Sequence, residues 1–285
     1  MNDLTIILVS HNTRADLNHC LRSLRDNAPD VSHEIVVVDN ASTDGSADLV
    51  RREWPDIHLI EAGDNIGFAR ANNLGIRATQ GRLVLLLNSD TVVPAGTLDR
   101  LVAELETHPD TAAVGPRIVD GSHRAELSFG AMMGPWSELR QKAMRRLADR
   151  GVGAATRWID RETRRPQVVD WITGACLLVR RADAEAVGLL DERYFMYCED
   201  VDFCAALRAR GRRIRFVPTA EITHYRGRSA ATSPAVTEAA YRRSQIAFYA
   251  KHHPRWLPWL KAYLRLRGKL SPDSSDKDKD ERTEQ

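Results

Sequence analysis

The chain has 285 residues, 43% hydrophobic and 28% charged. That fits one large or two small globular domains and excludes wholesale disorder. The net charge of +2 hides a patterned distribution: residues 1–138 carry 11 basic and 20 acidic side chains, 139–165 nine and three, and 242–270 eight and none.

Leu4–Val9 is a continuous apolar run that predicts a buried strand, closed by the polar turn Ser10-His11-Asn12. Leu17, Leu21 and Leu24 give helical spacing within 13–27. Glu34–Val38 predicts a second strand ending at Asp39-Asn40, and helical spacing follows around 46–54. A short strand at 56–61 leads to a turn between Gly63 and Gly67, then a helix over 68–79 closed by Gly81. Arg82–Leu87 predicts another strand, ending at Asn88-Ser89-Asp90, before a helix at 95–107 and a strand at 111–115. Strands apolar on both faces, alternating with helices, predict an α/β fold with a mostly parallel sheet covered on both sides. Such sheets bind ligands at the carboxyl ends of their strands. The polar clusters at 10–12, 39–40 and 88–90 all fall there.

Residues 122–170 are Arg-rich and weakly periodic, which predicts an insertion or lid. A strand returns over Thr173–Val179, followed by helices at 182–187 and 199–210. Short strands at 213–217 and 220–224 and a helix over 235–250 come next, punctuated by Pro254 and Pro258. The polar, low-complexity residues 271–285 predict a disordered acidic tail.

The four cysteines form no CxxC pair and suggest no zinc site; Cys20 and Cys176 fall in apolar stretches and are expected to be buried. The start of the chain has the pattern of neither a signal peptide nor a membrane span, and no window of about 18 apolar residues occurs. A cytosolic chain with reduced thiols is expected.

Four runs carry chemistry. In Val37–Ser46, Asp39 stands at a strand end, where a carboxylate accepts from a nucleobase imide or a ribose hydroxyl, while Ser42, Thr43 and Asp44 suit a helix cap. In Asn65–Gly75 a tight turn opens a helix whose N-terminus suits phosphate, with Arg70 in reach of a diphosphate. Leu85–Asp90 delivers Asn88 and Asp90 to the same rim, and one carboxylate plus a diphosphate is enough to hold Mg²⁺ or Mn²⁺. Phe195–Cys204 clusters Glu199, Asp200 and Asp202 at a strand-to-helix junction suited to a general base; Asp202 is expected in the first helical turn or paired with Arg208. His224, ordinary in isolation, becomes a metal ligand beside such a carboxylate. Residues 242–270 mix cations with Trp, Tyr and Leu, as an interfacial helix on an anionic membrane does; a helix packed on the domain is the competing reading.

Together the ordered runs ILVSHN, VVDNASTDGS, NIGFARANNLGI, LLLNSDT, WITGACLLVRR, FMYCEDVDFCAALRARG and HYRGRS resemble the inverting glycosyltransferases of family 2, and more narrowly their bacterial rhamnosyltransferase-like branch. The resemblance implies a GT-A fold: a Rossmann-like, mostly parallel sheet with helices on both faces, plus here a C-terminal helical segment. It implies that Ser10, Asn12 and Asp39 line the nucleoside pocket, that Asn65, Gly67 and Arg70 close it, and that Asn88-Ser89-Asp90 stands at the family's Asp-x-Asp metal motif with Asn replacing the first Asp. It makes Asp200 of the Glu199-Asp200 pair the base, puts Trp171 and Gly174 near the transferred sugar, and gives His224 with Asp90 to Mg²⁺ or Mn²⁺. His11 stands where Tyr is commoner. The expected organisation is a transferase domain over 1–241 (donor half 1–120, basic insertion 121–170, acceptor half 171–241), a basic amphipathic segment over 242–270 and the tail.

The implied reaction moves a sugar, with L-rhamnose as the leading choice, from a dTDP- or UDP-sugar to a hydroxyl of a lipid-linked or polysaccharide acceptor, in the cytoplasm or on the inner face of its membrane. A nucleotidyltransferase is the first alternative; residues 10–15 lack the Gly- and basic-rich loop that class carries after its first strand. A catalytically inactive nucleotide-sugar-binding protein is the second. The acidic front half and the absence of a recognition motif argue against nucleic acid.

Overall fold

The computed structural model describes residues 2–225 and 234–270. The expected tail at 271–285, and residues 226–229 of the HYRGRS run, lie outside the described residues. The elements of the front half are β1 (Leu4–Ser10), α1 (Arg14–Asp26), β2 (His33–Asp39), α2 (Ser46–Glu53), β3 (His58–Glu61), α3 (Phe68–Arg77), β4 (Leu83–Asn88), β5 (Thr91–Val92), α4 (Thr97–Thr107) and β6 (Thr111–Val119). Then come β7 (Ala125–Glu126), β8 (Phe129–Gly130), α5 (Pro135–Asp149), α6 (Gly153–Glu162), β9 (Gln167–Val169), β10 (Trp171–Ile172), β11 (Cys176–Arg180), α7 (Arg181–Ala186), α8 (Glu199–Ala209), β12 (Arg213–His224), α9 (Pro234–His252), a 3-10 turn (Pro254–Trp256) and α10 (Leu257–Leu266).

The main sheet runs β3-β2-β1-β4-β11-β6-β12-β5. The first four strands are parallel, while β11 runs antiparallel to β4 and β6. Apolar alternation splits the core in two. Leu4, Ile6 and Leu8 face a cluster with α1, α2 and α4, while Ile7, Val36 and Val38 face one with α3, α8 and α9. A strand buried on both faces cannot alternate polar with apolar, which is why these strands read as unbroken apolar runs. The parallel, doubly covered sheet expected from the sequence is present. All four cysteines are free and buried, and burial pushes the thiol pKa of Cys20 and of Cys204 up to about 12.

Several expectations change. The weakly periodic stretch 122–170 contains two helices and three short strands: β7 pairs with β6, β9 with β12 and β8 with β10. Pairing two residues long leaves no period to detect. The strands expected at 213–217 and 220–224 are one strand, β12, with a register irregularity between Val217 and Glu221 where it follows β6. The strand expected over 173–179 begins only at Cys176, as β11, because residues 173–175 form the turn between β10 and β11 that meets α8. The boundary expected at 241 falls inside α9, and residues 242–270 form the end of α9, the 3-10 turn and α10, broken where Pro254 and Pro258 withhold amide donors.

Candidate active site

The strand order reverses between β1 and β4: β2 and β3 lie on one side, β4 on the other. Open α/β sheets form their ligand crevice at such a switch. Ser10 is in register with Asp39, and its neighbour Val9 with Asn88, so three carboxyl ends deliver polar residues side by side. A hydroxyl chain crosses the crevice: Ser10 Oγ to Thr13 Oγ1 at 3.0 Å, then Thr13 Oγ1 to Ser89 Oγ at 2.9 Å. Asp39 is buried. Its Oδ2 accepts the Ser42 N–H at 3.0 Å, while its Oδ1 has no hydrogen-bond partner among the described residues. A buried carboxylate oxygen left open is costly unless a ligand donates to it.

Asn12 adopts φ 55°, is exposed, and accepts the Thr43 N–H at 2.7 Å, so it ties the loop after β1 to the loop after β2. Asp44 accepts from the Ser46 N–H and hydroxyl and from the Arg14 N–H, the capping role expected of it. Asn65 accepts from Asn40 Nδ2 at 2.9 Å, and Asn40 Oδ1 accepts the Ile66 N–H at 2.9 Å. Sequence reasoning passed over Asn40, a buried amide joining two loops, because its partner lies 25 residues on. Gly67 has φ +83°, and a Cβ there would lie 2.5 Å from the Phe195 carbonyl oxygen. Only glycine fits both restraints. The Phe68 N–H donates to that same oxygen at 2.7 Å, so the turn that opens α3 is pinned to the chain leading into α8. Arg70 is exposed, 3.7 Å from Glu192.

At the other edge, β5 pairs antiparallel with the end of β12, His224 opposite Thr91, which seats His224 beside Asp90. His224 Nε2 stands 3.0 Å from Asp90 Oδ1 and 3.3 Å from Asn88 Nδ2, and both His224 and Asp90 are buried. With Nε2 protonated the ring donates to Asp90; with Nε2 bare it accepts from Asn88, and the bare form is the one a metal binds. His224 Nδ1 makes no hydrogen bond among the described residues and lies 4.0 Å from Glu126 Oε2, a carboxylate the sequence reading did not single out. No group of three His, Cys, Asp or Glu side chains gathers as a metal site among the described residues.

Asp200 lies in the first turn of α8, where the positive end of the helix favours its charge. Its Oδ2 accepts the Gly174 N–H at 2.9 Å and its Oδ1 the Val201 N–H at 2.8 Å. Burial still raises its pKa above the ordinary value. Glu199 is buried beside it with Oε2 unpartnered among the described residues; burial first, then the Asp200 charge, raise its pKa well above normal. The two residues before the pair, Tyr197 and Cys198, have φ 70° and 67°, left-handed backbone that costs non-glycine residues about 1–3 kcal/mol each and clusters at functional sites. Gly174 also links the two halves: the Asn88 N–H donates to the Ala175 oxygen at 3.0 Å, so one short turn touches both the Asn88–Asp90 edge and Asp200. Trp171 is buried in the core, its indole N–H spent on the Ala131 oxygen at 2.9 Å.

Asp202 does lie in the first turn of α8, but it does not pair with Arg208, which bonds Asp170. Asp202 points instead to α9: Oδ1 meets His252 Nε2 at 2.6 Å and Oδ2 accepts from Lys251 at 2.8 Å. Arg208 lies six residues along the helix from Asp202, beyond the three- or four-residue spacing at which helical side chains meet, whereas α9 packs directly over Asp202.

A crevice at the switch, an open buried carboxylate and two carboxyl-bearing edges joined by one turn suit a nucleotide and a group to be transferred. The profile described as "Glycosyl transferase family 2" matches residues 5–162. The chain belongs to this family. The N-acetylglucosaminyl-diphospho-decaprenol L-rhamnosyltransferase of Mycobacterium tuberculosis is 29% identical to this transferase over 95% of the chain and 94% of that protein. Rhamnosyltransferase WbbL of Escherichia coli is 47% identical over a shorter stretch, 20% of this chain and 22% of WbbL. Among solved structures, the Pyrobaculum calidifontis mannosyltransferase PcManGT, in complex with GDP-Man and Mn²⁺, superposes with a TM-score of 0.60 at 21% identity, covering 92% of this chain and 69% of that one. The transferase therefore has the GT-A fold.

Proposed function

We propose that the transferase moves a sugar, L-rhamnose from its dTDP donor as the leading choice, to a hydroxyl of a lipid-linked or polysaccharide acceptor, with inversion, working peripherally at the inner face of the cytoplasmic membrane. The names of the relatives support the sugar and the lipid-linked acceptor. The observation that carries the reaction is Asp200: a carboxylate oriented by two backbone N–H groups, its proton affinity raised by burial, one turn of chain from the Asn88–Asp90 edge. Asp200 accepts the acceptor proton as that oxygen attacks the anomeric carbon, and the bond to the diphosphate breaks on the opposite face. One base and one displacement give inversion. The Asp200 charge in turn adds to the effect of burial in raising the proton affinity of Glu199. Asp39 Oδ1 takes the base or ribose donor it lacks, the hydroxyls of Ser10 and Ser89 floor the crevice, and Gly67 and Asn65 shape its lip with Arg70 beside them. Gly174 holds the base, and Trp171 holds Ala131 from within the core.

Asp90 and His224 fit a divalent cation, Mg²⁺ or Mn²⁺. Their facing atoms lie 3.0 Å apart, so one ion could meet both. One carboxylate and one imidazole leave the other positions to diphosphate oxygens and water. Such an ion supplies Lewis-acid stabilisation of the departing diphosphate. Asp200→Asn tests the assignment: transfer is expected to fall about 10²–10⁴-fold with donor binding and melting temperature retained. Near-normal turnover of that variant would refute Asp200 as base.

A further inference from the structure

The helix α10 is apolar on two sides. Leu257, Leu260 and Leu264 turn inward onto the core. Trp259, Tyr263 and Leu266, spaced four and three residues apart, form a second stripe that faces away from it, with Trp259 71% and Leu266 87% exposed. Core packing does not account for this second stripe. Residues 254–270 also carry five cations and no acid, and of these Arg255, Lys261, Arg265 and Arg267 make no ion pair among the described residues.

A second exposed aromatic lies close by on a different element. Trp136, 75% exposed, and Leu139 share one side of α5. The segments that lead into the two helices are joined: His253, just before the 3-10 turn, bonds the Met133 oxygen, two residues ahead of α5, at 2.8 Å through Nε2, and its own oxygen accepts the Trp256 N–H. Tyr249 and Gln245 of α9 donate to Glu138 of α5 at 2.7 Å each, which fixes α5 to the helix that leads into α10. Trp136 and Trp256 each stand three residues from the ends of the His253–Met133 bond.

We propose that α5 and α10 together form one docking face, seated on an anionic lipid bilayer. Indole and phenol rings prefer the headgroup boundary, aliphatic tips reach the acyl chains, and the unpaired cations meet anionic headgroups. No helix of the described residues is long and apolar enough to cross a membrane. The same scaffold leads to the site. Ser244 of α9 donates to the Met196 oxygen at 2.7 Å, just ahead of Glu199, and Trp171 donates to Ala131, four residues before α5. The face therefore holds the acceptor side of the crevice toward the surface that carries a lipid-linked hydroxyl. That orientation rests on the transferase reading; the docking face does not.

The test is flotation of the full chain with phosphatidylcholine vesicles, with and without one part in three phosphatidylglycerol, alongside Trp136→Ser, Trp259→Ser and Lys261→Glu/Arg265→Glu. Nucleoside-diphosphate binding and sedimentation are measured on the same samples. The chain is expected to float with anionic vesicles only and less at high salt. Each Trp variant is expected to partition roughly ten- to hundredfold more weakly, since an interfacial indole buries about half its surface. The charge reversal is expected to weaken binding further, at about fivefold per cation, with nucleotide binding unchanged throughout. Failure of the wild-type chain to float overturns the proposal, and so does a Trp136→Ser variant that floats normally, because the face then lacks α5. A dimer that both Trp variants dissociate without altering flotation also overturns it and makes the face a self-association surface. Normal flotation with no nucleotide binding by the wild-type chain refutes the transferase reading and leaves the docking face standing.

Discussion

Glu199 and Asp200 share one buried corner, and their charges work against each other. A raised pKa means the folded chain holds the proton more tightly than the unfolded chain does. The stability this gives is complete below the unfolded carboxylate value, about pH 4, and is lost as pH rises through the folded value. Glu199→Gln keeps the shape without the charge. Its melting temperature is expected to match the wild type near pH 4 and exceed it near neutrality, by scanning calorimetry; parallel curves would show that Glu199 is not held protonated. The sequence showed this acidic pair but not its burial, and burial is what sets its chemistry.

At the scale of elements, α8 carries the base and α9 holds α8. Asp202, two residues after Asp200, is buried with bonds to Lys251, His252 and the Tyr194 hydroxyl. Removing one member of a buried ionic cluster leaves the others unpaired and costs about 3–5 kcal/mol. Asp202→Ala is expected to lose about 3 kcal/mol in urea unfolding and to lower turnover more than donor affinity, since the helix that orients Asp200 loosens. An unchanged denaturation midpoint would refute the clamp. It also means that Lys251 of the basic C-terminal segment is engaged inside the fold, while Arg255, Lys261, Arg265 and Arg267 beyond Pro254 make no ion pair among the described residues.

For the whole molecule, ligand and metal act through the folded state. A nucleoside diphosphate with Mn²⁺, present at about 100 times its dissociation constant, adds about 2.7 kcal/mol. In a chain of this size that raises the melting temperature by roughly 5–10 °C. EDTA is expected to abolish most of the increase, and Asp90→Ala to do the same with Mn²⁺ present. A full increase in EDTA would remove the metal from the site. The charge pattern also takes on meaning at this scale. The acidic front half holds the crevice between β1 and β4, while the basic stretches fall on α5, α6 and α10.

The sequence by itself determined the parallel front sheet and the strand-end positions of Ser10, Asp39 and Asn88, because a strand buried on both faces must be apolar throughout and can place polar residues only at its end. Asp44 was legible only in part: its bonds to Ser46 lie within the turn that opens α2, whereas its bond to the Arg14 N–H reaches back thirty residues. Only the tertiary structure decided what depends on distant pairings. It seated His224 against Asp90 through a two-residue strand, gave Asp202 to α9 rather than to Arg208, and brought Gly67 against Phe195. It also divided the C-terminal segment into the end of α9 and α10, the latter with one side on the core and one exposed. Each of these joins residues far apart in the chain, and local periodicity carries no record of such contacts.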